Sequence, residues 1–302
     1  MLRMPVTSAL RSISLGCLAA STITLAFATL AVPPVHAGAW TQAPGCLYGR
    51  LTYAGIASRT RFDAGGARVG LDPRFTFAAP DGATEYRGRE ARVYVEYGLV
   101  ERFTTYGSVT LKRVVMDEPV VKSINSGFGD LIVGGRYRVL RGRMPISLAS
   151  ELKIPAGYAR GSTPSLGAGD LAHTVRGLVG ASWGWLYTTA DAGWTHRTKG
   201  YPNEYVYSAE VGGTLPFSLS WRSVVRGVRS TEKGSTSTGG PLFDPERASS
   251  RYLTLDGVLG IPVFPGLLLE SGVSHVLDGR NALAGNTLEV GFAWSGTLVH
   301  AP

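Results

Sequence analysis

The chain has 302 residues, with 30 Lys and Arg against 22 Asp and Glu, a formal charge of +8 and 40 glycines. With 44% hydrophobic and only 17% charged residues, it is too apolar to remain disordered. Beyond residue 37 no unbroken apolar run reaches the ~18 residues that a membrane helix needs. The longest, 257–269, is interrupted by Pro262 and Pro265.

Residues 1–37 read as a secretory signal. Arg3 and Arg11 give a positive start, 15–32 is free of charge, and Val35-His36-Ala37 offers a small-residue cleavage pattern, so the mature chain is expected to begin at Gly38. An uncleaved anchor is the competing reading, and Pro33-Pro34 directly after the run argues against it. A lipoprotein reading at Cys17 fails on a short apolar run and on Ser14. Removing the signal removes Cys17 and leaves Cys46 without an internal disulfide partner. That thiol is expected to lie inert near the periplasmic rim.

The rest, 38–302, reads as one all-β domain of about twelve amphipathic strands, an antiparallel transmembrane β-barrel of the outer membrane. The first strand, roughly 47–62, alternates poorly. In 89–99, Ala91, Val93, Val95, Tyr97 and Leu99 oppose Arg92, Tyr94 and Glu96, and period two puts the sets on opposite faces. Phe103, Thr105, Val109 and Leu111 then oppose Thr104, Tyr106, Ser108 and Lys112. Leu131, Val133, Tyr137 and Val139 oppose Asp130, Arg136 and Arg138; Ile146, Leu148, Leu152 and Ile154 oppose Ser147, Glu151 and Lys153. Val175, Val179 and Trp183 oppose Thr174 and Arg176; Ala190, Ala192 and Trp194 oppose Tyr187, Thr189 and Asp191. Tyr205, Tyr207 and Val211 oppose Ser208 and Glu210; Phe217, Leu219, Trp221 and Val225 oppose Arg222 and Arg226. Leu253, Leu255, Leu259 and Ile261 oppose Tyr252 and Asp256; Leu267, Leu269 and Val273 oppose Glu270; Leu288, Val290, Phe292 and Trp294 oppose Glu289.

The links alternate in length. Tight turns are predicted near 100–102, 141–145, 183–185, 214–217 and 261–265. Long loops are predicted near 63–88, 114–128, 156–170, 197–204, 229–250 and 276–286. That alternation, with both termini on the turn side, is the pattern of short periplasmic turns and longer outside loops. A soluble sandwich alternates too, with its apolar face inside. Ionisable residues on nearly every polar face favour the inverted barrel. So do aromatics at strand ends: Tyr97, Phe103, Trp183, Trp185, Phe217, Trp221 and Trp294 at the turn side, Trp194, Tyr205 and Tyr207 at the loop side.

Several segments resemble the outer-membrane barrel family associated with the meta-pathway of phenol degradation, which is described as transporter-like. They are YVEYGLVERFTTYGSV at 94–109, SGFGDLIVGGRYRVL at 126–140, LKIPAGY at 152–158, LGAGDLAHTVRGLVGASW at 166–183 and GRNALAG at 279–285, in the family's order. The Gly-x-Gly-Asp units at 127–130 and 167–170 recur like a weak internal repeat. The resemblance implies a monomeric barrel that passes small compounds, apolar or aromatic ones among them. One departure is the end. Such barrels often finish on an aromatic residue, whereas eight residues follow Trp294 here. Either the last strand runs on to Leu298 or the tail is a short extension.

The pore-lining candidates are Arg92, Tyr94, Glu96, Tyr106, Asp130, Arg136, Arg138, Glu151, Lys153, Arg176, Asp191, Glu210, Arg222, Arg226, Asp256, Glu270 and Glu289. Two readings stay open for the charges. They satisfy one another in the wall, or the arginines 136, 138, 176, 222 and 226 bias passage toward anions. Tyr94, Tyr106, Tyr187 and Tyr252 are candidate contacts for a solute. Bases expected at the outer rim include Lys112, Arg113, Lys122, Arg160, Arg197, Lys199, Arg229, Lys233, Arg247, Arg251 and Arg280. Lipopolysaccharide phosphates are their natural partner; nucleic acid is not expected for an exported barrel.

Enzyme readings are poor, and no cofactor or metal is implied. His173, His196, His275 and His300 form no metal-ligand spacing. Ser274 and His275 point to opposite faces of a strand. His196 with Asp191 is the remaining candidate for surface hydrolysis. Two functions from different classes therefore stand: a passive channel for small molecules, and a non-conducting barrel whose loops, 229–250 above all, bind polysaccharide or another partner.

Overall fold

The computed structural model describes residues 38–71, 84–158, 162–231 and 250–297. The expected signal segment and most of the 229–250 loop lie outside the described residues, as do Arg160, Lys233, Arg247 and His300.

The strands are, in chain order, β1 (Cys46–Ser58), β2 (Thr60–Phe62), β3 (Arg68–Gly70), β4 (Glu85–Val100), β5 (Phe103–Asp117), β6 (Lys122–Phe128), β7 (Asp130–Leu140), β8 (Ile146–Pro155), β9 (Ala172–Trp183), β10 (Leu186–Arg197), β11 (Glu204–Thr214), β12 (Ser220–Ser230), β13 (Arg251–Phe264), β14 (Leu267–Arg280), β15 (Ala282–Ala284) and β16 (Asn286–Thr297). All but β2, β3 and β15 form one antiparallel sheet. It closes because β1 pairs with both β16 and β4, and β4 pairs with β5. β6 and β7 are two halves of one stave: β6 pairs with 111–117 of β5 and β7 with 103–108. Between them the Gly129 amide donates to the Thr110 carbonyl at 2.8 Å. The barrel therefore has twelve staves. The small sheet β15-β2-β3 sits at the loop end.

Burial identifies the inside. Large apolar residues are exposed along the wall, among them Leu51, Leu111, Leu148, Trp183, Leu259 and Leu288. Many of the buried residues are polar, including Thr52, Glu96, Thr104, Arg136, Thr174, Asp256 and Glu270. A closed ring leaves no backbone edge unpaired, the condition for strands to cross hydrocarbon. The inversion excludes the soluble sandwich.

Three expected links are corrected; in the first, the loop expected at 276–286 is mostly strand, since β14 runs on to Arg280 and β15 and β16 follow at once. The region 114–128 is not a loop: β5 and β6 continue as a hairpin, with Glu118 donating its amide to the Val121 carbonyl at 3.1 Å. The inward residues Val114 and Met116 are apolar and buried with Leu71, Tyr86 and Leu166, so the polar alternation that marks a stave is lost there. The turn expected at 261–265 lies at Pro265 and Gly266, because β13 runs through Pro262 with a register shift before Phe264. Gly266 takes φ +77° there, a conformation that glycine adopts without a Cβ penalty. The last strand continues to Thr297, the last described residue, so Trp294 is not its end. Cys46 opens β1 at the turn end, its Sγ 3.9 Å from the Thr297 hydroxyl.

Candidate functional site

Midway along the barrel the inward side chains enclose a cavity of ≈ 450 Å³. Of the sequence-derived candidates, Arg92, Tyr94, Glu96, Tyr106, Arg136, Glu151, Arg176, Asp191, Glu210, Arg222 and Arg226 line it, as does Tyr187. Tyr48 and Arg50 also line it. Sequence reasoning passed them over because β1 alternates poorly, with Gly49, Ala54 and Gly55 where larger side chains would mark the faces. The outward clue was Leu51 and Tyr53, which fix Arg50 and Thr52 as inward.

The charges are tied together across strands. Arg50 bridges Glu270 at 2.6 Å and Glu289 at 2.8 Å, and Arg222 reaches Glu270 at 2.7 Å. Arg136 meets Glu96 at 2.8 Å with both side chains buried. Arg176 joins Asp191 at 2.9 Å and Glu151 at 3.5 Å, and Arg226 pairs with Asp256. The arginines at 136, 176, 222 and 226 thus each carry a carboxylate partner, an arrangement that matches mutual neutralisation better than an anion track. Arg138 lies toward the turns, donating to the Glu101 carbonyl at 3.0 Å. Asp130 and Lys153 lie toward the loops, their charged atoms 3.9 Å apart.

Tyrosine hydroxyls anchor to the same carboxylates: Tyr94 to Glu96 at 2.6 Å, Tyr106 to Glu151 at 3.3 Å and Tyr187 to Glu210 at 2.5 Å. Tyr48, Tyr94 and Tyr106, on neighbouring strands, follow one another with ring centroids 6.3 Å apart at each step. That spacing is within the range for aromatic contact. The result is an aromatic stripe, its Tyr94 and Tyr106 hydroxyls spent on the wall.

The chain before β1 occupies the turn end of the lumen. Ser147 donates to the Ala39 carbonyl at 2.5 Å, the Gln42 amide donates to Thr104 at 2.8 Å, and the Gln42 side chain donates to Glu96 at 3.1 Å. Trp40 packs edge-on to Tyr187 at 6.2 Å, and Gly38 reaches the cavity. Gly98 makes this approach possible: a Cβ there would lie 2.0 Å from the Ala43 carbonyl oxygen.

At the loop end, residues 162–171 fold into the mouth. Leu166 is 1% exposed and packs with Leu71, Val114 and Met116. Asp170, fully buried, takes Arg197 at 2.7 Å and Lys153 at 3.6 Å, and Arg197 also holds Glu204 at 2.7 Å. Burial alone would raise the Asp170 pKa. The hydrogen bond from Arg197 and the charges of Lys153 and Arg197 outweigh it, and the carboxyl lies below its ordinary value. The two Gly-x-Gly-Asp units meet here. Tyr158 donates to Asp130 at 2.6 Å and accepts from the Gly169 amide at 2.8 Å.

Several rim assignments change. Arg197 faces inward with only 4% of its side chain exposed, so it is no phosphate ligand. Lys199 donates to the Gly169 carbonyl, and Lys122 pairs with Asp117. Asp191 points into the lumen while His196, five residues on in the same strand, faces out. The hydrolase pairing is therefore excluded. Among the described residues no group of three or more His, Cys, Asp or Glu could hold a metal ion.

No family model matches the chain, and no curated protein matches it. Solved structures do. The COG4313 outer membrane channel from Pseudomonas putida F1 is similar over 87% of this chain and 100% of that one, with TM-score 0.65 and 13% identity. The NanC porin is similar over 81% of this chain and 98% of that one, with TM-score 0.51 and 9% identity. Taken with the closed ring and its apolar exterior, these likenesses establish a twelve-stranded outer-membrane β-barrel with a channel-like fold.

Proposed function

We propose that this barrel is a passive conduit for small compounds of apolar or aromatic character. The observation that carries the reading is the Tyr48–Tyr94–Tyr106 stripe on a cavity of ≈ 450 Å³ whose arginines are engaged with carboxylates. Such a wall offers ring faces to an uncharged solute and little free charge to an ion. An aromatic pair contributes about 0.5–1.5 kcal/mol beyond area burial, enough to select a ring without trapping it. The resemblance of 94–109 and 166–183 to the phenol meta-pathway barrels supports the same solute class. Export by a signal ending at Ala37 and action as a monomer complete the proposal.

The test is uptake of a radiolabelled simple phenol by proteoliposomes. The wild type is expected to take it up faster than empty vesicles. Replacement of both Tyr94 and Tyr106 by alanine should change phenol uptake more than uptake of a sugar of similar size. Equal effects on both solutes, or no uptake by folded wild type, would reject the aromatic reading.

A further inference from the structure

The outer wall carries a feature that a lumenal conduit does not use. On three adjacent strands, Arg229 of β12 stands directly opposite Arg251 of β13, which stands directly opposite Arg280 of β14. All three face outward and are exposed. Like charges directly across a sheet are destabilising, yet among the described residues a single carboxylate, Asp278, serves the row, reaching Arg251 at 3.0 Å. Arg229 and Arg280 have no hydrogen-bond or ion-pair partner among the described residues. At strand spacing the row spans about 10 Å.

Its height in the membrane is marked independently. Tyr205 lies directly opposite Arg229, and Trp194 directly opposite Tyr205, their rings 4.9 Å apart. Both are exposed on the outer wall, as amphipathic rings at a headgroup level are. Below the row, toward the turns, the wall returns to exposed Tyr207 and Leu255. The arginines thus sit at the loop-side boundary of the apolar band, where headgroup phosphates of the outer leaflet lie.

We propose that Arg229, Arg251 and Arg280 form a docking site for the phosphate groups of an outer-leaflet glycolipid of the lipopolysaccharide type. Guanidinium forks bind phosphate oxygens bidentately, and one anionic headgroup would relieve the repulsion along the row. The acyl chains would lie down the adjoining apolar wall. The site is separate from the lumen, and its failure would leave the conduit reading standing.

The test compares the wild type with the Arg229→Ala/Arg251→Ala/Arg280→Ala triple variant, both purified from outer membranes, stripped of lipid and titrated with lipid A. Heat-dependent electrophoretic mobility reports the folded barrel. The triple variant should bind roughly tenfold more weakly or worse, since charge-assisted contacts are lost. Wild type should bind dephosphorylated lipid A as weakly as the variant binds the intact lipid. Millimolar inorganic phosphate should leave the lipid bound. Unchanged affinity in the folded variant, equal affinity for the dephosphorylated lipid, or complete displacement by free phosphate would each overturn the proposal. If the triple alanine variant does not fold, the Arg→Lys triple and Arg280→Ala alone decide: both must bind more weakly than wild type.

Discussion

The Glu96–Arg136 pair offers the sharpest energetic test of the lumen. Glu96 is 2% exposed and Arg136 is 5% exposed. The carboxylate receives three donors: Arg136 at 2.8 Å, Gln42 at 3.1 Å and Tyr94 at 2.6 Å. Replacing Arg136 with methionine leaves a buried anion with two neutral donors. Breaking a buried pair costs about 3–5 kcal/mol, and the two surviving hydrogen bonds place this case at the lower end, about 3 kcal/mol. Glu96→Gln with Arg136→Met removes both charges and keeps an acceptor for Tyr94, so the double variant should lose only about 1 kcal/mol. The cycle therefore predicts a coupling of about 2 kcal/mol or more, above the 0.2–1 kcal/mol of a solvated pair. The assay is reversible urea unfolding in lipid vesicles, followed by tryptophan fluorescence and analysed by linear extrapolation. A coupling below about 1 kcal/mol would mean that water screens the pair and that the lumen at this depth is open.

Three further outcomes follow from the two ends of the barrel. Gly98→Val drives a side chain into the Ala43 carbonyl; it should release the 38–45 segment from the lumen and raise single-channel conductance, and unchanged conductance would refute the blocking role. Asp170 has a depressed pKa in the folded protein, so its stabilising contribution is present above the ordinary carboxylate pKa and fades as pH falls through the lower folded value. The amide protection factors of 162–171 should therefore fall in acid in the wild type, whereas in Asp170→Asn they should be low already at pH 7 and change little on acidification. Leu166→Ala removes a buried leucine from the mouth cluster, costing about 2–5 kcal/mol of local stability; faster exchange should be confined to the mouth, with the mid-barrel strands unaffected.

Much of this architecture was legible because a barrel wall has one rule, strict alternation with the apolar face outward. Arg92, Tyr94, Glu96, Arg222 and Arg226 were read as inward from their apolar neighbours alone, and the structure places them at the cavity. The rule fails where its physical basis fails. Val114 and Met116 are inward and apolar because loops, not water, cover them. Pro262 reads as a breaker, yet a register shift beside it accommodates it within β13. Arg197 looks like a rim cation because sequence does not show that Asp170 comes to meet it from another loop. The lumenal course of 38–45 carried one signal, Trp40 among small residues between the expected cleavage point and the first strand. Nothing local distinguished it from a disordered start.

The most direct measurement is single-channel conductance of the protein in planar bilayers, with and without a small phenol on one side. Discrete conductance steps that the phenol interrupts, and that the Tyr94→Ala/Tyr106→Ala variant shows uninterrupted, are the predicted result. A folded barrel that remains silent, or one whose steps the phenol never alters, would contradict a lumenal route for aromatic compounds.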